Sequence, residues 1–269
     1  MGVCDPPPEG VRHMVQASWD WTATTHPADD LELVLLSVAA DRGIPGKGLH
    51  GWPIGLELFD KRGDRVAKVF TGGGTETIHV LATSGVADSV REAVTKRPCK
   101  TARVDTCVDS LVKYEDLVSS VLQVAGRQTK ITVFESFNGS EQLGRTVYVG
   151  APSSAVRLRI YEKHLESPGL FEPGTNRVEV QLRPPSRSKE AVSTWDRWST
   201  FGASKLSRRV GEVLGQKIEP AGSLEKKRGT PTLEESLEAM GRQYGPSVER
   251  FLALSGGDMD TVLGHLLRS

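Results

Sequence analysis

The sequence predicts an α+β fold: a mostly antiparallel central sheet with helices on one face, and a small helical region at the C-terminal end. Three observations predict it. First, Val156, Leu158 and Ile160 alternate with Arg157, Arg159 and Tyr161, while Val178, Val180 and Leu182 alternate with Arg177, Glu179, Gln181 and Arg183. Period two sends the two sets to opposite faces of a sheet, one aliphatic and one polar. Second, short β-branched runs recur with turn residues between them, as in Lys61-Arg62-Gly63-Asp64. Third, only two upstream stretches with a clear helical stripe interrupt the later strands, so strands dominate and helices add a layer.

In chain order, residues 1–12 are Pro-rich and read as a flexible N-terminus. Residues 15–24 (VQASWDWTAT) alternate and read as a strand. Asp29 or Asp30 is placed to cap a helix running to Ala40. The glycines from Gly43 to Gly51 suggest a loop, followed by strands at 54–60 and 65–71. Gly72-Gly73-Gly74 lacks the Gly-Lys-Ser/Thr of a phosphate loop and precedes a strand at 77–82, so a tight turn or bulge is expected. A helix at 84–96, a strand at 101–108 and a helix at 109–125 follow. Strands are expected at 131–134 and 145–149, around a loop at 138–144. The alternating strands near Ile160 and Val180 close the sheet. Residues 190–214 form an amphipathic helical stretch, 219–231 a linker with the basic run Lys226-Lys227-Arg228, and 232–267 two short helices.

At 269 residues the chain supports one main domain with a small appendage. Thirty-four Lys+Arg balance 34 Asp+Glu, which argues against a purely electrostatic nucleic-acid binder but leaves room for local basic patches. Cys4, Cys99 and Cys107 form no CxxC pair, so a disulfide framework or structural zinc is not expected and a reducing interior fits. No apolar run marks a signal peptide or a membrane span, and the expectation is a soluble, cytoplasmic protein.

A solvated sheet face tolerates each residue of the polar set singly. Together they read as a site for a phosphodiester. Tyr161 has Arg159 and Lys163 at i−2 and i+2, cations that would favour phenolate over a resting hydroxyl of pKa about 10. Asp105 is an acid inside an apolar strand and must meet a cation, either Arg103, Arg159 or a metal. Asp109 lies about 13 Å further along if the strand continues, and suits the N-cap of the next helix better. Glu179 faces the same side as the tyrosine; with Asp105 it supplies oxygen ligands for Mg²⁺ or Mn²⁺, or else it forms a cross-strand pair with arginine. No histidine pair or GxSxG is present.

The ordered set Arg103/Asp105/Asp109, Tyr148-Val149-Gly150, Arg159-Ile160-Tyr161-Glu162-Lys163 and Arg177-Val178-Glu179 resembles the rolling-circle replication initiation factors of plasmids and phages, and related relaxases of conjugative elements. The upstream GGGTETIHVLATSG segment is similar as well, so the resemblance spans about residues 15–185. It implies a fold related to the HUH endonucleases, with carboxylates in the metal role. With the composition of the C-terminal part, the expected division is a catalytic domain over 13–218, a linker over 219–231 and a helical tail over 232–269. Tyr161 is then the nucleophile that takes the 5′-phosphate and frees a 3′-OH. Arg159 and Lys163 assist it, Asp105 and Glu179 ligate Mg²⁺ or Mn²⁺, and Arg157, Arg177 and Arg183 hold DNA phosphates. The implied partners are origin DNA, single-stranded or cruciform, and host helicase or replication proteins, with no membrane. The alternatives are a non-catalytic DNA-binding or protein-interaction module on the same fold, or a relaxase.

Overall fold

The computed structural model describes residues 16–74, 76–94, 97–222, 224 and 232–266. The expected N-terminus at 1–12 and the Lys226-Lys227-Arg228 run lie outside the described residues. The chain separates into two compact units, Met1–Leu224 and Glu225–Ser269.

The first unit is built on one ten-stranded sheet. Its strands are β1 (Ala17–Pro27), β2 (Arg42–Leu49), β3 (Trp52–Phe59), β4 (Arg65–Thr71), β5 (Thr77–Thr83), β6 (Lys100–Ser110), β7 (Ile131–Asn138), β8 (Glu141–Val149), β9 (Val156–Glu162) and β10 (Asn176–Leu182). Their spatial order is β2-β3-β4-β5-β1-β6-β10-β9-β8-β7. Every pairing is antiparallel. The helices are α1 (Leu31–Val38), α2 (Ser84–Val94), α3 (Tyr114–Val124), α4 (Lys163–Glu166), α5 (Lys189–Ser193), α6 (Arg197–Phe201) and α7 (Lys205–Val213).

Two apolar clusters fill the space between sheet and helices. Val69, Ile78, Val80 and Val104 meet Val34 of α1 and Val90 of α2. Leu158, Ile160, Val178 and Val180 meet Leu117 and Val121 of α3, Phe201 of α6 and Val210 of α7. Leu158, Ile160, Val178 and Val180 belong to the aliphatic set of the alternation, so helices pack on the expected face, while the single turn α4 brings Lys163 and Glu166 beside Arg159 and Tyr161 of the polar set. Each fully buried Leu or Ile contributes about 1.5–3 kcal/mol. That gain offsets the several kcal/mol needed to bury each ion on the opposite face.

Several local expectations are corrected. Residues 42–49 are the edge strand β2, not a loop. Glycine is needed there because a Cβ at Gly48 would collide with the Pro53 carbonyl of the neighbouring strand. A Cβ at Gly73 would likewise meet the Gly51 carbonyl oxygen, so the middle glycine of the triplet serves a close backbone approach. Asp30 makes no capping bond to α1; it is buried and paired with Arg97. β6 continues to Ser110, paired with Asn176, so α3 starts only at Tyr114. β7 and β8 are longer than expected and form one hairpin with Asn138 opposite Glu141. The stretch 190–214 breaks into three helices, because Asp196 caps α6 through the Ser199 N–H (2.6 Å) and Ser204 caps α7 through the Ser207 N–H (3.1 Å).

The second unit holds α8 (Leu233–Leu254) and α9 (Met259–Leu266), which pack on each other. α8 runs through Pro246; the break falls at Gly256 and Gly257, with φ of 68° and 89°. No described helix is long and apolar enough to cross a membrane.

Arg91 of α2 clips the helical layer together. It is 5% exposed. Its Nη2 reaches the carbonyls of Val192 (3.2 Å), Ser193 (3.3 Å) and Trp195 (3.3 Å), and the guanidinium lies 4.2 Å from the Trp19 ring centroid. Burial lowers its pKa to about 10, so it still carries charge at neutral pH. Arg91→Met removes these three bonds, leaving the Val192 carbonyl with its bond from the Trp195 N–H, and should cost about 2–3 kcal/mol. Urea unfolding should show this as a lower midpoint.

Candidate active site

The polar set comes together on β6, β10, β9 and β8 because these strands are neighbours and in register. Three cross-strand rows result. Tyr161 lies opposite Arg177, and Arg177 opposite Asp109. Tyr148, Arg159, Glu179 and Cys107 form the second row. Arg157, Gln181, Asp105 and Trp21 form the third. Tyr161, Glu179 and Asp105 therefore descend diagonally across one face.

Tyr161 is 3% exposed. Its hydroxyl donates to Glu179 Oε1 at 2.7 Å, and Arg159 Nη1 donates to the same oxygen at 3.3 Å. The Arg159 guanidinium carbon stands 3.9 Å from the Tyr161 ring centroid, and Lys163 Nζ 5.7 Å from it. Burial, followed by the Glu179 charge, pushes the phenol far above its ordinary pKa, so the resting residue is a neutral donor. The flanking cations do not produce the phenolate that the sequence suggests. The neighbouring anion and the loss of water outweigh them.

Asp105 forms a two-toothed pair with Arg103, its Oδ1 accepting from Nε at 2.9 Å. Burial raises the pKa of both Asp105 and Glu179, against the pull of Arg103 and Arg159 respectively. Asp109 does not cap a helix: it accepts two bonds from Arg177, at 2.6 and 2.7 Å. The remaining Arg177 nitrogen reaches Asp20 at 3.1 Å. Sequence reasoning misses Asp20. It is the extra residue of a bulge in β1, between Trp19 and Trp21, which turns it toward the arginines. The available signal is an acid within the apolar run Ser18-Trp19-Asp20-Trp21, the same oddity that marks Asp105.

Other cations are only partly satisfied. Arg157 Nε, Arg159 Nε, Arg183 Nη1 and Gln181 Oε1 are buried without a hydrogen-bond partner. Arg157 instead stacks 3.9 Å from the Tyr148 ring centroid. Lys163 Nζ and Arg159 Nη2 both donate to Glu166, at 2.5 and 3.2 Å. Strung along β9 and just past the end of β10, these unsatisfied guanidinium N–H groups suit a row of anionic groups rather than one anion. The carboxylates of Asp105, Glu179 and Asp20 are the hard donors that Mg²⁺ or Mn²⁺ takes. Each is held by an arginine, and among the described residues no group of three His, Cys, Asp or Glu side chains is placed to hold a metal ion.

No protein-family model and no curated protein matches this chain. Among solved structures, a rolling circle replication initiator protein from Geobacillus stearothermophilus is similar. It shares 21% identity, with a TM-score of 0.56 over 78% of this chain and 99% of that one. The chain therefore has the fold of that replication initiator.

The raised carboxylate pKa values fix a pH dependence for the metal-free protein. Between the ordinary carboxylate range and the raised values, the folded state holds protons that the unfolded chain has released. This stabilisation is present at low pH and fades as pH rises through the folded values. Asp105→Asn and Glu179→Gln should flatten that part of the profile. Urea midpoints measured from acid to neutral pH check it, and an unchanged slope in both variants would contradict it.

Proposed function

We propose that the protein initiates rolling-circle replication by nicking one DNA strand, with Tyr161 as the nucleophile. One observation carries the reading: a buried tyrosine hydroxyl, 2.7 Å from Glu179 and beneath Arg159, on the fold shared with a replication initiator. Arg159, beside Tyr161, turns its unsatisfied N–H group to the phosphoryl oxygens and stabilises the charge that grows there, while Arg157 and Arg183, further along β9 and just past the end of β10, hold the neighbouring phosphates of the strand. Arg177, committed to Asp109 and Asp20, positions the Tyr161 row. Tyr161 Oη bonds to phosphorus as the bond from phosphorus to the 3′ oxygen breaks. The phenolic proton passes to Glu179, the group already accepting it, and the count closes when a proton ends on the released 3′ oxygen. The products are a 5′-phosphotyrosine and a 3′-OH that primes synthesis. The exchange conserves a phosphodiester, so reversal religates the strand.

Asp105 and Glu179 are the residues that would hold Mg²⁺ or Mn²⁺, which supplies Lewis-acid polarisation of the scissile phosphate when bound. The DNA partner is an origin strand, single-stranded or cruciform, met in the cytoplasm. Helicase or replication proteins would then use the free 3′ end.

Incubation with a random-sequence single-stranded DNA pool and Mn²⁺ should give a covalent adduct, mapped by peptide mass to Tyr161. Tyr161→Phe should abolish it while leaving DNA binding intact, and EDTA should suppress it in the wild type. Binding without any adduct would reduce the protein to a DNA-binding module. An adduct on Tyr148 or Tyr114 would move the nucleophile.

Glu166 supplies a second test. Its carboxylate occupies the cations that a phosphate would take, and at 40% side-chain exposure each bond is weak. Glu166→Gln should tighten single-stranded DNA binding about two- to fivefold, read by fluorescence anisotropy.

A further inference from the structure

The β7–β8 hairpin at the edge of the sheet carries an apolar surface that neither core cluster uses. Phe134 is 57% exposed, Phe137 55% and Leu143 46%. Of these, Phe134 has a defined relation to the tyrosine. It lies opposite Thr146 on β8, and Thr146 lies opposite Tyr161 on β9. Phe134, Thr146 and Tyr161 thus share one row and one face. Two strand spacings separate the two rings, about 10 Å. Thr146 is small, and the row dips between them into a cleft of about 340 Å³ lined by Phe134, Leu143, Thr146, Arg159 and Tyr161.

The two ends of this cleft differ in chemistry. At the inner end Arg159 carries a buried Nε–H without a partner. At the outer end the Phe134 ring is held edge-on to Tyr148, at 5.8 Å between centroids and 89° between planes. Tyr148 is in turn fixed by Arg157 at 3.9 Å. That contact orients the Phe134 ring and leaves the side chain open. Glu135, Glu162, Glu166 and Arg145 line the same cleft, and Arg145 is paired with Glu162, so it falls to Arg159 to meet a backbone phosphate once Glu166 gives way. A cation beside an open aromatic face is one way single-stranded nucleic acid is bound without sequence preference, backbone to the cation and base to the ring. A protein partner adding a strand would use the free backbone edge of β7, not the face on which Phe134 stands.

The geometry points to Phe134 as a stacking platform for an unpaired nucleobase, next to the phosphate held at Arg159 and Tyr161. This rests on the strand-nicking function proposed for the same site. It assigns the hairpin the task of holding the strand single and extended across the tyrosine. Selection for unpaired DNA follows, because a base inside a duplex has both faces covered.

The probes are a short fluorescent oligothymidylate and an abasic oligomer of the same length, titrated by anisotropy at low salt. Wild type should bind the oligothymidylate more tightly. Phe134→Ala should weaken that binding about fivefold or more and leave the abasic oligomer unaffected. Phe134→Tyr, which keeps the ring, should bind like wild type, while Phe134→Leu should follow the alanine variant. Truncating a ring this exposed spares the fold. Equal affinity of Phe134→Ala and wild type for oligothymidylate would overturn the proposal and leave the hairpin to a protein partner. An equal loss on both oligomers would also overturn it. Wild type binding neither oligomer would instead sink the strand-nicking function itself, and Arg159→Gln, expected to weaken both oligomers alike, separates the two failures.

Discussion

The hydrogen bond from Tyr161 to Glu179 is the interaction on which the site depends. It joins two residues on adjacent strands that are offset by one cross-strand row, so it forms only in one register of β9 against β10. A slip of β9 by one residue would turn Tyr161 into the helical layer and Ile160 out, away from a Glu179 that keeps its place on β10. The aliphatic core enforces the register, and the register places the chemistry. Burial on one face thus fixes geometry on the other.

That second face is not a solvated surface. Glu179 and Asp105 are each 2% exposed, although they are ionisable and flanked by cations. Burying an ion is unfavourable unless it is paired and hydrogen-bonded. Each carboxylate accordingly has an arginine: Arg103 for Asp105, Arg159 for Glu179, Arg177 for Asp109 and Asp20. Among the charged groups of this face, the pairing is incomplete on the cationic side, and Gln181 Oε1 is the unsatisfied acceptor beside it. The carboxylates near the tyrosine are engaged, while guanidinium nitrogens of Arg157, Arg159 and Arg183 are left over. Unsatisfied buried donors thus outnumber the unsatisfied acceptor on this face, in a chain of zero formal net charge.

The alternation of Val156–Tyr161 and Val178–Arg183 makes the two faces legible in the sequence, because period two is insensitive to everything except strand formation. Alternation alone puts Tyr161, Arg159 and Glu179 on one face, and Asp105 stands out as an acid among apolar neighbours. What the sequence hides depends on breaks in that period or on distant partners. Asp20 needs a bulge, which alternation cannot announce. Asp109 resembles a helix cap because nothing local shows that β10 will extend β6 as far as Ser110. β2 is hidden by its glycines, which mark close strand contact here and mark loops elsewhere. Phe134 looks like a plain strand residue, since its value lies in being left exposed.

The resting state of the tyrosine constrains any chemistry it performs. A phenol pushed well above its ordinary pKa by burial and by Glu179 is not a ready nucleophile. It gains nucleophilicity only as its proton leaves, and the nearest acceptor is the carboxylate that raised its pKa. Burial also raises Glu179, which makes that carboxylate a better base than an exposed one. An incoming phosphate would bring negative charge to Arg159 and weaken its hold on Glu179, strengthening the base at the moment it is needed. Proton transfer in the proposed reaction would thereby be coupled to the arrival of the anion. In the proposed reaction the burial that holds the phenol neutral would therefore also tie its deprotonation to a bound strand.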